Sequence, residues 1–170
     1  MNNSSQSQSP SLQQLVQGVH GYLGYEKADE RERTDKAIRE HFIEQISQLT
    51  DHLGSSLKAE QEEDQQRLET LAANAKKNLL IIGDSLKNPT YSGTSFFADQ
   101  VPFNNAMNRI YDLEKLMLDA LLNISEELVS LDKGKLPKDQ FEASFLHTQD
   151  FLDNINQSLF EREALILGDM

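Results

Sequence analysis

Apolar residues recur at spacings of three and four along most of the chain. The first long series is Ile38, Phe42, Ile46, Leu49, Leu53 and Leu57, starting from about Thr34. A second series, Leu68, Leu71, Ala75, Leu79, Ile82 and Leu86, follows it. Both have the period of one face of an α-helix. Between them, Lys58 to Arg67 is polar apart from Ala59. Leu57 and Leu68 are eleven residues apart, close to three full turns, so the stripe keeps its azimuth across the gap. The spacing therefore predicts one unusually long helix over about 34–87, ~80 Å at 1.5 Å per residue, with a break near Gly54 as the alternative. Asn88-Pro89 ends it, because proline disfavours helical backbone in the residue before it.

A second strong helix is predicted over about 104–132. Met107, Ile110, Met117, Leu121, Ile124, Leu128 and Leu131 form its stripe, and Tyr111, Leu118, Leu122 and Val129 widen it. Apolar character over most of a helix marks a central bundle member. A third helix, about 138–166, carries Phe141, Phe145, Thr148, Leu152, Ile155 and Leu159, with Phe151 and Phe160 alongside. Asp139 and Glu142 have capping-box spacing at its start. A short amphipathic N-terminal helix over Leu12, Leu15, Val16, Val19 and Leu23 shows the same spacing for Ser11 and Gln14. Gly18, Gly21 and Gly24 weaken this helix, each by ~1 kcal/mol relative to alanine. No segment sustains period-two alternation. The fold class is all-α: a helical bundle, with a polar disordered tail at 1–10 and a single domain over 11–170.

The unusually long helix would overhang its partners. Its Ile38–Leu57 stripe (Ile38, Phe42, Ile46, Leu49, Leu53, Leu57) then needs a cover, and a second copy of the chain supplies one. A homodimer is expected on that ground. The connection 88–103 is sixteen residues long and holds Tyr91, Phe96, Phe97 and Phe103. A loop of that length is often functional. Its aromatics are read either as an anchor for a partner or as a plug for the open end of the bundle.

Composition narrows the chemistry. The formal net charge is −12 and the pI about 4.7, which opposes nucleic acid and anionic membranes. No cysteine is present, which removes thiolate catalysis and fits a reducing compartment. The first residues have neither the basic nor the apolar region of a secretory signal, so a cytoplasmic location is expected. His41-x-x-Glu44 reverses the Glu-x-x-His order of bundle di-metal sites, and His41 and His52 stand ~16 Å apart on a helix. No metal and no cofactor are expected. Glu26 to Lys36 alternates in sign, as a solvated helix start with i,i+4 pairs does.

One stretch points elsewhere. Ile82-Gly-Asp-Ser-Leu86 resembles the nucleophile block of the GDSL esterases. The resemblance implies an α/β sandwich with Ser85 as nucleophile. The family's Gly-x-Asn-Asp block is absent, and His147-x-x-Asp150 reverses its Asp-x-x-His order. The motif lies mid-chain, with helical pattern on both sides. Nucleophilic serine chemistry needs a base and oxyanion donors, and the sequence supplies neither in recognisable form. The function expected is non-catalytic binding of another protein, as an adaptor, assembly factor or regulator, through helical surfaces and the loop 88–103. A small acidic chaperone that shields an apolar client segment is the alternative, and a serine esterase the third.

Overall fold

The computed structural model describes residues 9–54, 57–98, 104–132 and 134–168. Phe103 and the polar tail up to residue 8 lie outside the described residues. The chain is an all-α helical bundle. Its helices are α1 (Pro10–Gly18), α2 (Ala28–Leu53), α3 (Gln65–Lys87), α4 (Asn104–Ser130) and α5 (Lys138–Leu167). Two two-residue strands, β1 (Lys58–Ala59) and β2 (Lys135–Leu136), pair in parallel.

The predicted single helix over 34–87 is two helices. α2 ends at Leu53, where the Gly54 N–H donates to the Thr50 and Asp51 carbonyls. The chain reverses, and α3 returns along α2, with Ile46 beside Gly83 and Lys76 beside Gly54. The eleven-residue spacing between Leu57 and Leu68 carries no azimuth once the chain reverses between the two helices. Each stripe faces the core independently of the other. The acidic residues Glu62, Glu63 and Asp64 precede α3 in a 3-10 turn, where the positive end of the helix dipole favours them.

α2 to α5 form a four-membered ring in which α2 packs on α3, α3 on α5, α5 on α4 and α4 on α2. Cross-links give the directions. Arg67–Glu142 and Asn78–Gln149 make α3 and α5 parallel, while Arg109–Glu161 and Glu127–His147 make α4 and α5 antiparallel. α3 and α4 therefore sit on a diagonal. The described part of the connection between them, residues 88–98, lies at the end of the bundle and touches α2 and α5 through the short 3-10 turn Ser95–Phe97. At the opposite end, β1 and β2 clip the α2–α3 connection to the α4–α5 connection. Ala59 and Leu136 are in register and buried, and the Glu60 N–H donates to the Leu136 carbonyl at 2.8 Å. The Gln65 side chain completes the outer edge of β1, accepting from Ala59 N–H and donating to the Leu57 carbonyl.

The stripe expected to form a dimer seam is part of this chain's own core. Ile38, Phe42, Ile46, Leu49 and Leu53 are buried, and Leu57 is half-buried against them. With α2 and α3 folded back on each other, no overhang is left for a second copy to cover. Neither expected capping box forms. The Ser11 hydroxyl instead donates to Asp112 on α4 at 2.6 Å, and Glu142 accepts from Arg67 on α3 at 3.1 Å.

α1 stops at Gly18, short of the predicted extent, and lies parallel on α4. Gly21 and Gly24 lie beyond the helix, and both have positive φ. They turn the chain back toward the start of α2. A Cβ on Gly24, at φ +89°, would stand 3.1 Å from Leu12 Cδ1 and 3.2 Å from the Tyr111 hydroxyl. Gly24→Ala is accordingly expected to destabilise the fold by about 2 kcal/mol, through left-handed strain and a displaced neighbour together. Urea denaturation checks this, and an unchanged midpoint would show that the turn relaxes freely.

Candidate functional site

The end of the bundle where residues 88–98 lie holds a buried polar cluster. Its centre is Arg162, in the last third of α5 and 1% exposed. Four of the donor positions of its guanidinium are used. Nε donates to Glu114 Oε1 at 2.7 Å, and Nη1 donates to the Tyr91 hydroxyl at 2.7 Å. Nη2 donates to Asp35 Oδ1 at 2.6 Å and to the Tyr25 hydroxyl at 3.1 Å. Asp35 lies on α2, across the diagonal from α5, and Glu114 lies on α4. The tyrosines come from the two connections at this end. One planar group thus ties five separate pieces of chain together, which the fixed fork of a guanidinium suits and an ammonium does not.

The acceptors are equally occupied. Glu114 is fully buried and accepts from Tyr22, Tyr25 and Arg162. Asp35 accepts from Tyr91 at 2.8 Å and, through its second oxygen, from Arg39 at 2.8 Å. Burial pushes the Asp35 carboxyl up, but Arg162 and Arg39 outweigh it and hold the group below its ordinary value. Burial raises all the tyrosines. Tyr91 and Tyr111 are each pushed up to about 12, and Tyr22 and Tyr25 go higher, with Glu114 adding to the effect. The phenols therefore stay protonated. Tyr22, Tyr25 and Tyr91 donate to the carboxylates, and the Tyr111 hydroxyl accepts from the Tyr25 backbone N–H. A second buried arginine, Arg31, donates to the carbonyls of Tyr25 and Phe96 and so fixes both connections to α2.

Of the loop residues read as a partner contact, Tyr91 and Phe96 are buried, at 2% and 3% exposure, and Phe97 is half-buried beside them. They close the end of the bundle over the polar cluster. As an exposed anchor, the described part of this loop is corrected: Tyr91 and Phe96 are plug residues. The charges of Glu26 to Lys36 give one exposed pair of the expected i,i+4 spacing, Lys36–Glu40, and a second at i,i+3, Lys27–Glu30. Arg31 and Asp35 of the same run depart from the expected solvated face and turn inward, each 4% exposed. A signal was available. Asp35, Glu114 and Arg162 each stand in phase with a buried stripe, three residues from Ile38, Met117 and Leu159 respectively. A charge in that position is buried with a partner or not at all.

The Gly83-Asp84-Ser85-Leu86 motif lies inside α3. Gly83 is buried against Ile46, and the exposed Ser85 hydroxyl donates to the Ile81 carbonyl one turn back. The strand-to-helix turn that the resemblance implies is not present at this point. Among the described residues no three metal-ligating side chains are gathered into a group.

Several apolar side chains are exposed among the described residues, Leu80 and Ile81 on α3 and Phe160 on α5 among them, and one such face, on α4, adjoins α1. α1 and the turn after it lie over Tyr111 and Leu118 of α4, the latter within 3.8 Å of a Cβ built on Gly18. Leu122 and Val129 continue the same face, four and eleven residues beyond Leu118. They stand 50% and 54% exposed. The chain matches no known family model, no characterised protein and no solved structure.

Proposed function

We propose that this is a non-catalytic protein–protein interaction protein, an adaptor, assembly factor or regulator, that receives an amphipathic helix of another protein on α4. The observation that supports it is the apolar face of α4 that outlasts α1. α1 itself shows what fits there: a short amphipathic helix with leucines at positions 12 and 15 laid along the face. A partner helix continuing from the end of α1 would bury Leu122 and Val129 in the same way, as helix-in-groove recognition does. The buried polar cluster supports the reading indirectly, since its groups are used in holding the end of the bundle together. No described helix is long and apolar enough to cross a membrane. The absence of cysteine suits a cytoplasmic setting.

The test is capture from extracts of the native host with three proteins. Wild type is expected to retain a defined partner, and Leu122→Glu/Val129→Glu is expected to lose it with an unchanged urea midpoint. Leu80→Glu/Ile81→Glu, which charges an exposed apolar pair on α3, is expected to keep it. Equal recovery on all three, or no specific recovery on wild type, refutes the reading. Light scattering on the same samples tells whether the partner is a second copy, as a mass of twice 19.3 kDa confined to wild type and the α3 variant.

A further inference from the structure

At the end of the bundle opposite the polar cluster, a cavity of about 710 Å³ opens where β1 meets the start of α3. That volume lies within the range of small-molecule sites. Its inner wall is apolar, formed by Leu53, Leu57, Leu68 and Ala72. Its mouth carries Lys58, Lys76 and Lys135. Nine lysines are described in the chain, and five of them sit in ion pairs. Three of the other four are these. In a chain with 28 carboxylates and 16 basic residues, unpaired lysines gathered at one cavity call for a cause.

The strand register sharpens the point. Lys58 and Lys135 are Cα partners on adjacent strands, and both are exposed. Like charges directly opposite one another on a sheet repel. An anion held between them would turn that repulsion into attraction. Glu60, Glu62 and Glu69 line the same cavity, and none of them is in an ion pair with the lysines. Their presence opposes a multiply charged group such as a phosphate. It leaves room for a single negative charge next to the lysines, with an uncharged body against the leucines.

We propose that this cavity binds a small amphipathic carboxylate, its apolar chain or ring on Leu53, Leu57 and Leu68 and its carboxylate between Lys58 and Lys135. The site is independent of the α4 face and does not rest on the protein-binding reading.

Calorimetric titration of the full chain with decanoate and with 2-naphthoate tests it. A single saturable site for at least one of the two is expected, with the matching alcohol binding more weakly. Lys58→Gln/Lys135→Gln should weaken binding by about tenfold or more, the scale of a lost charge-assisted contact. Both side chains are exposed, so circular dichroism and the urea midpoint should not move. Ala73→Phe, at the exposed rim of the cavity, should obstruct binding. Lys77→Gln removes the same charge from the remaining unpaired lysine, away from the cavity, and should bind as wild type does. Absence of saturable binding by either probe overturns the proposal. So does equal affinity in the double variant, or an equal loss in Lys77→Gln.

Discussion

Arg162→Met should lower the stability of the fold by about 3–5 kcal/mol, the cost of removing one partner from a buried ionic group. The methionine fills much of the same volume, so the loss is not chiefly a cavity effect. It comes from what is left behind. Glu114, with no exposure, keeps only the two tyrosine hydroxyls, and Asp35 keeps Tyr91 and Arg39. The Tyr91 hydroxyl also loses the Arg162 Nη1 donor it accepts from. Arg162→Lys keeps the charge but cannot reach Glu114, Asp35, Tyr91 and Tyr25 together, so it should recover only part of the loss. Urea denaturation at neutral pH measures all three proteins, and a deficit under about 1 kcal/mol for Arg162→Met would show that water or repacking replaces the guanidinium. The pH dependence gives a separate check. Asp35 is depressed in the folded state, so its contribution is present above the unfolded carboxyl value of about 3.9 and is lost as pH falls through the lower folded value. Without Arg162, burial is opposed only by Arg39 and the Tyr91 hydroxyl, and the folded value rises. The gap between wild type and variant should therefore narrow as the pH drops below about 4.

The cluster shows where pattern reading succeeds and where it stops. The stripes of α4 and α5 are legible because spacings of three and four depend only on local geometry. The N-terminal stripe was partly legible: Leu12, Leu15 and Val19 are buried, while Val16 and Leu23 are exposed. The break after Leu53 was harder to read, because a helix that continues and a helix that folds back both put Leu57 and Leu68 toward the core. Gly54 and the acids at 62–64 were the better evidence, since they match a helix end and a helix start. The partners of Arg162 lie 48, 71, 127 and 137 positions away in the chain, beyond the reach of any periodicity. What could be read is that Asp35, Glu114 and Arg162 interrupt apolar stripes in phase. Three such charges, two acidic and one basic, are enough to predict a buried ionic cluster, though not its geometry. The exposed face of α4 was half visible: Leu122 and Val129 widened a stripe, but only the fold shows that α1 stops short of them.

Phe96→Ala is the second large effect, expected at about 3 kcal/mol, the lower part of the range for truncating a buried phenylalanine. The ring packs edge-on against Tyr25, with centroids 5.4 Å apart, and against Phe97 at 5.1 Å. The Arg31 guanidinium lies over it at 5.7 Å. Removing the ring uncovers Tyr25 and admits water toward Glu114, so the packing loss and the weakened polar contacts add. The lower part of the range applies because a connection at the end of a bundle can settle into the space more readily than a mid-bundle helix. Phe97, only half-buried, should cost about 1 kcal/mol on the same substitution. Urea midpoints for the two variants separate the plug from a partner anchor. An anchor would lose capture with its midpoint unchanged, whereas a plug loses stability. The length of the connection has the same explanation as its aromatics. α3 and α4 occupy diagonal corners of the ring, so the chain must cross the full width of the bundle end to join them. A segment that crosses there covers whatever lies beneath, and what lies beneath is Arg162 with its carboxylates. Tyr91 and Phe96 are therefore where a charged bundle end requires apolar rings, with Tyr91 supplying a hydroxyl to the cluster as well as cover.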